Sequence, residues 1–82
     1  MHTIFLNASD YATARELHAS LKLLLDLPDH YGHNADALHD CLSERRDRVS
    51  LVVTGQATGE VEHALSHCMT VIRDLGGQII RR

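Results

Sequence analysis

The chain has 82 residues, of which 44% are apolar and 23% are charged. This composition is typical of one ordinary globular domain, residues 1–82, with a single core, and excludes a disordered or fibrous chain. The formal net charge of −3, from 11 acidic and 8 basic residues, argues against a nucleic-acid-binding protein, which needs a basic surface, and favours a basic partner.

The first predicted elements are a strand and a helix. Residues 3–6 are an apolar run that ends in turn-forming residues, as in a buried strand. Thr13 and Glu16 have the spacing of a capping box, and leucines recur at helical intervals from Leu17 onward. The helix is expected to end before Pro28, because the residue preceding a proline avoids helical backbone angles.

A second helix is predicted after a loop that bends at Gly32. Asn34 is a favourable residue for the N-cap of this helix. Asp36 and Asp40 are four residues apart and therefore share one face, while the apolar residues of the segment share another. The helix is expected to present its carboxylates outward.

The rest of the chain predicts a strand, a helix and a strand. Residues 49–53 are a β-branched, nearly continuous apolar run, as expected of a strand covered on both faces. Apolar residues recur at helical spacing over positions 61–75, two glycines follow, and residues 79–80 make a last short strand. The order of elements requires crossover connections, and so predicts an α/β fold with a small three-stranded parallel sheet packed with helices.

Localisation and the state of the two cysteines follow from simple patterns. Residues 1–7 lack the basic start and the apolar stretch of a signal peptide, and no apolar run approaches the roughly 18 residues that span a membrane. We therefore expect a cytoplasmic protein without membrane association. Cys41 and Cys68 fall within helical patterns, and in a reducing compartment they are expected to be buried thiols.

The loop and the second helix, residues 27–42, carry the most chemically distinctive side chains. Tyr31 is one of few aromatic residues in the chain. The helix that follows carries Asp36, His39 and Asp40, so an exposed segment would combine one aromatic, two carboxylates and an imidazole. The alternative is that Tyr31 is a core residue and the two acids are a solvated helix face.

The same segment carries a family resemblance. Residues 27–42 contain the pattern Leu-Pro-x-x-Tyr-Gly-x-Asn-x-Asp-Ala-Leu-x-Asp-Cys-Leu, which resembles the central signature of the barstar family. Residues 16–22 are similar to the first helix of that family. The resemblance implies a three-stranded parallel sheet with helices. It also implies that the protein is not an enzyme but the inhibitor of a cognate secreted guanyl-preferring ribonuclease.

In that family the loop and the helix after it insert into the basic active site of a barnase-like ribonuclease. Carried over to matching positions, the resemblance makes Asp40 the chief anchor, because a carboxylate on a rigid helix can accept several charge-assisted hydrogen bonds. The partner-binding residues that we nominate are His30, Tyr31, Gly32, Asn34, Asp36, His39, Asp40 and Glu44.

Some residues depart from the family pattern. His30 and His39 stand where the best-known member has aromatic residues, and a basic run at residues 45–48 follows the helix. These departures leave open an alternative function, that of an immunity protein or interaction module for a toxin that is not a ribonuclease. The free protein is expected to be a monomer without a cofactor.

Neither metal binding nor catalysis is favoured by the residues around Cys41. The histidines at positions 30, 33 and 39 lie near this cysteine in the sequence, but their spacing matches no standard zinc pattern. Cys41 is expected to face the core, and no oxyanion hole or glycine-rich nucleophile loop accompanies it. The sequence therefore predicts neither a metal site nor an active site.

Overall fold

The computed structural model describes residues 2–82. Within these residues three strands form one parallel sheet in the order β1-β2-β3, which confirms the predicted α/β fold. The elements in chain order are β1 (His2–Asn7), a 3-10 turn (Ala8–Asp10), α1 (Ala14–Leu24), α2 (Ala35–Ser43), β2 (Val49–Thr54), α3 (Gly59–Asp74) and β3 (Gln78–Arg81). In residues 2–82 no helix combines the length and the apolar character needed to cross a membrane.

The first two α-helices begin at the caps that the sequence predicts. The hydroxyl of Thr13 accepts a hydrogen bond from the N–H of Glu16 at 3.2 Å, and the Glu16 carboxylate accepts one from the N–H of Thr13 at 3.0 Å. Asn34 caps α2, because its side-chain oxygen accepts the N–H of Ala37 at 2.8 Å. These bonds satisfy amide groups that a helix start would otherwise leave without partners.

One face of the sheet packs against the helices. Leu38 and Leu42 of α2 are 0% and 6% exposed, so the inner face of this helix is part of the core and its opposite face lies in solvent. Burial of each such leucine stabilises the fold by about 1.5 to 3 kcal/mol. The other main core residues are Ile4, Leu6, Leu17, Leu21, Val49, Leu51, Val53, Leu65, Cys68 and Ile72.

The other face of the sheet is open. The strand register aligns Phe5, Val52 and Ile80 in one row across the three strands. Phe5 and Ile80 are 65% and 43% exposed, whereas Val52 between them is 3% exposed. Strand β2 is therefore buried on both faces, as predicted. On this open face, however, no helix of the described residues covers it, and it is covered by side chains of the neighbouring strands. The prediction of a buried first strand is wrong in part, because β1 alternates between buried and exposed side chains.

Both cysteines are free thiols. Cys68 is fully buried, and burial raises the pKa of its thiol to about 12. Cys41 is only half-buried and packs against the edge of the core. The prediction of a buried thiol is thus confirmed for Cys68 and met only partly by Cys41.

Candidate partner-binding surface

Two buried side chains anchor the loop between α1 and α2. Leu27 and Tyr31 are 5% and 3% exposed and belong to the core. The N–H of Leu27 donates to the carbonyl of Lys22 at 2.9 Å. The N–H of Tyr31 donates to the carbonyl of Pro28 at 2.9 Å, which closes a turn. His30 is therefore exposed on a loop that is fixed on either side of it.

Tyr31 lies beneath the surface. Its hydroxyl is hydrogen bonded to Nδ1 of His18 at 2.6 Å, and His18 is itself 3% exposed. Nδ1 of His33 donates to the carbonyl oxygen of Tyr31 at 2.9 Å. Of the two alternatives that the sequence left open, the structure favours the core residue. Contact of Tyr31 with a partner stays a prediction. Burial of the apolar ring is favourable, and the hydroxyl can be buried with it because it has a partner inside the protein.

Burial determines the charge state of the His18–Tyr31 pair. It lowers the pKa of His18, to which the neighbouring His33 adds a smaller effect in the same direction. It raises the pKa of Tyr31, with smaller contributions from the two cysteines. Both side chains are therefore neutral near neutral pH, and a neutral hydrogen bond in the core holds the loop.

The stability of the protein should fall as the pH is lowered below the ordinary range of histidine. Folding lowers the pKa of His18 from 6.5, so between the two values the unfolded chain binds a proton that the folded chain does not. The contribution of this group is complete above pH 6.5 and is lost as the pH falls towards the folded-state pKa. Urea unfolding at a series of pH values measures the effect, and His18→Gln should flatten the pH dependence. An identical dependence in that variant would contradict the assignment to His18.

The chain enters α2 through Gly32 and Asn34. The side-chain amide of Asn34 donates to the carbonyl of Gly32 at 3.1 Å, while its oxygen caps the helix. A Cβ atom on Gly32 would lie 3.3 Å from Cβ of Ala37, which is closer than side chains normally approach. Asn34 is confirmed as the N-cap, and contact of these residues with a partner stays a prediction.

Three carboxylates lie along the exposed side of α2 and at its C-cap, and we call Asp36, Asp40 and Glu44 the acidic stripe. They follow one another at intervals of four residues, and all three are exposed. Among residues 2–82, none of these carboxylates has a hydrogen-bond or ion-pair partner. Like charges at this spacing repel each other, and Asp40 and Glu44 lie where the helix dipole is negative. Asp36, in the first turn, is instead favoured by the dipole. Asp40 and Glu44 are therefore the carboxylates that the stability of the free protein does not account for.

A surface depression of about 410 Å³ joins the loop to α2. It brings His30 of the loop beside Asp40 and Glu44 of the acidic stripe. Asp36 and His39 are exposed on α2 outside the depression. The residues that line it are Pro28, His30, Asp40, Cys41, Glu44 and Arg45.

Arg45 is a residue of this surface that the sequence analysis did not nominate. Its guanidinium donates from Nη2 to the carbonyl of Asp26 at 2.9 Å, and Asp26 has a positive φ of 51° just after α1. The bond ties the end of α2 to the start of the loop. No local pattern predicts it, because the two residues are 19 positions apart.

We expect Arg45→Gln to loosen the loop. Loss of this one exposed hydrogen bond should lower the free energy of unfolding by about 0.5 to 1 kcal/mol. Hydrogen exchange of the Leu27 and Tyr31 amides should become faster than in the wild type. Arg46→Gln is the matched control, because Arg46 is exposed and carries the same charge. Equal exchange rates in the two variants would show that the bond does not hold the loop.

The loop histidines do not form a cluster. His33 is hydrogen bonded to a backbone carbonyl, and His30 lies in the depression. No three ligating side chains converge anywhere in the part of the chain that the structure describes. Cys41 lines the depression as well as touching the core, so its expected position facing only the core is wrong in part.

The chain matches one protein-family model and is similar in sequence to a curated protein. The family model described as Barstar (barnase inhibitor) matches residues 1–79. A protein of Bacillus subtilis (strain 168), named "Putative ribonuclease inhibitor YrdF", is 46% identical over 43 residues, which are 52% of this chain and 47% of that protein. The match therefore spans about half the length of this curated relative.

Proposed function

This chain belongs to the barstar family, and on that premise we propose that it inhibits a cognate secreted, guanyl-preferring ribonuclease. It acts in the cytoplasm of the producing cell, as a monomer, by placing the acidic stripe in the basic active site of the enzyme. It occupies that site and catalyses nothing. The observation that carries this proposal is the acidic stripe itself, three unpaired carboxylates on a rigid helix beside an ordered loop.

The acidic stripe has the chemistry that a ribonuclease active site recognises. A ribonuclease stabilises an anionic transition state, and so lines its active site with cationic side chains. The carboxylate of Asp40 can occupy the position of the phosphate oxygens and accept charge-assisted hydrogen bonds from those cations. Because the cap at Asn34 and the buried Leu38 and Leu42 fix α2, little conformational freedom is lost on binding.

The loop supplies the second part of the proposed contact surface. His30 lines the same depression as Asp40, so an enzyme side chain that fills the depression would lie against both residues. Gly32 has no side chain and lets the partner approach the backbone closely. Tyr31 contributes from below by holding the loop in place.

Inhibition of RNA cleavage tests the proposal. The probe is the secreted ribonuclease of the same source, assayed on a fluorogenic RNA with increasing amounts of the chain. An equimolar amount of chain should abolish cleavage. A correctly folded chain that leaves cleavage unchanged in excess would overturn the proposal. Binding of a different toxin from the same source would then favour the immunity function for a toxin that is not a ribonuclease.

A further inference from the structure

Two exposed histidines lie one turn apart on α3. The ring centroids of His63 and His67 are 4.4 Å apart, and the ring planes are inclined by 55°. Side chains four residues apart project from the same side of a helix. Val61 and Leu65, which alternate with them in the sequence, are buried, so both imidazoles lie on the solvent side of α3.

The nitrogens of these two rings are available for a ligand. Within residues 2–82, neither imidazole has a hydrogen-bond or ion-pair partner. The acids at the start of the same helix are already engaged. Glu62 accepts two hydrogen bonds from Arg81, at 3.1 and 2.7 Å. Glu60 accepts the N–H of Ala14 at 3.1 Å. The acidic side chains at the start of α3 thus already have partners, whereas the two imidazoles have none among the described residues.

A pair of imidazoles selects a class of ligand. Imidazole nitrogen suits zinc, copper and nickel ions, whereas magnesium and calcium prefer oxygen. Two nitrogens bound to one tetrahedral zinc ion are roughly 3.3 Å apart, given Zn–N bonds of about 2.0 to 2.1 Å. The ring centroids are 4.4 Å apart, so the site requires only that the rings rotate about their side-chain bonds until one nitrogen of each reaches that separation.

We propose that His63 and His67 form a bidentate site for one divalent transition-metal ion of the zinc class. No third ligating side chain joins them within residues 2–82, so the ion keeps two positions of its tetrahedron for water or for a group of another molecule. The site lies on α3, while the acidic stripe lies on α2. The metal site uses no residue of the acidic stripe, so we expect metal binding to leave the proposed inhibition unchanged.

Calorimetric titration of the untagged protein with zinc chloride tests the site. The wild type should bind one zinc ion per chain, and its thermal midpoint should rise because the ion binds only the folded helix. His63→Gln and His67→Gln should each weaken zinc binding by about a hundredfold, since each removes one arm of a two-point attachment. His30→Gln and His39→Gln are the matched controls, exposed histidines outside α3 that should leave the affinity unchanged.

Two results would overturn this site. The first is that the wild-type chain binds no zinc. The second is that His63→Gln and His67→Gln both bind zinc with the wild-type affinity. Glutamine is favourable at exposed helical positions, so the variants should keep the wild-type circular dichroism. The double variant His63→Gln/His67→Gln should still inhibit the ribonuclease, so a failure of the metal site is distinguishable from a failure of the proposed function.

Discussion

If the chain binds a ribonuclease as proposed, replacement of Asp40 by alanine should weaken binding by about 3 to 5 kcal/mol, the usual effect of removing one partner of a buried ion pair. This is roughly a hundredfold to several thousandfold in Kd. In the proposed complex the loss is large, because the cations of the enzyme would be buried without a countercharge. Asp40 lies centrally on the acidic stripe, with Asp36 and Glu44 one turn away on either side.

The same substitution should not destabilise the free protein. The carboxylate of Asp40 is exposed and lies in the last turn of α2, where the helix dipole disfavours a negative charge. Its removal is expected to raise the free energy of unfolding slightly, by about 0.3 to 1 kcal/mol. A residue that lowers stability in the free protein and is needed for binding has a function in the complex.

Inhibition assays and urea unfolding on the same samples separate the two effects. Asp74→Ala is the matched control, because it removes one exposed carboxylate near the end of a different helix. Asp36→Ala, at the edge of the acidic stripe, should give an intermediate loss of inhibition. If Asp40→Ala weakened inhibition no more than Asp74→Ala does, Asp40 would not be the anchor.

The sequence predicts the order of elements and the face of α2 that bears the acids, because both depend on local, periodic signals. The capping box at Thr13, the N-cap at Asn34 and the four-residue interval between Asp36 and Asp40 all act within one helical turn. The open face of the sheet could not be predicted in this way. An apolar run such as β1 has the same sequence whether or not a helix covers Phe5, and only the packing of distant helices decides which.

The hydrogen bond that supports the loop of the candidate site could not be predicted from the sequence for a similar reason. His18 and Tyr31 are 13 positions apart, and no pattern within either segment indicates that their side chains meet. An aromatic residue in a loop serves equally well as a contact residue or as a core anchor. The three-dimensional position of α1 decides between these, since it places His18 beneath the loop.

Tyr31→Ala should lower the free energy of unfolding by about 3 to 5 kcal/mol, because a buried aromatic side chain is replaced by a cavity. That is a large part of the stability of a domain of this size, roughly 5 to 10 kcal/mol. The loop would lose its anchor, and inhibition of the ribonuclease should fall with it. Tyr31→Phe is the sharper variant, since it keeps the ring and removes only the hydroxyl bonded to His18.

For Tyr31→Phe we expect a loss of about 1 to 3 kcal/mol in stability, because Nδ1 of His18 is left buried without its partner. The matched control is Tyr11→Phe, which removes a part-buried hydroxyl bonded to Ser20 at 2.7 Å outside the loop. Because Tyr31 supports the loop from beneath, its substitution should lower the stability of the protein directly. Inhibition should fall only as far as the loop becomes mobile. A Tyr31→Phe protein with wild-type stability and strongly reduced inhibition would mean that the hydroxyl contacts the enzyme directly, against its buried position.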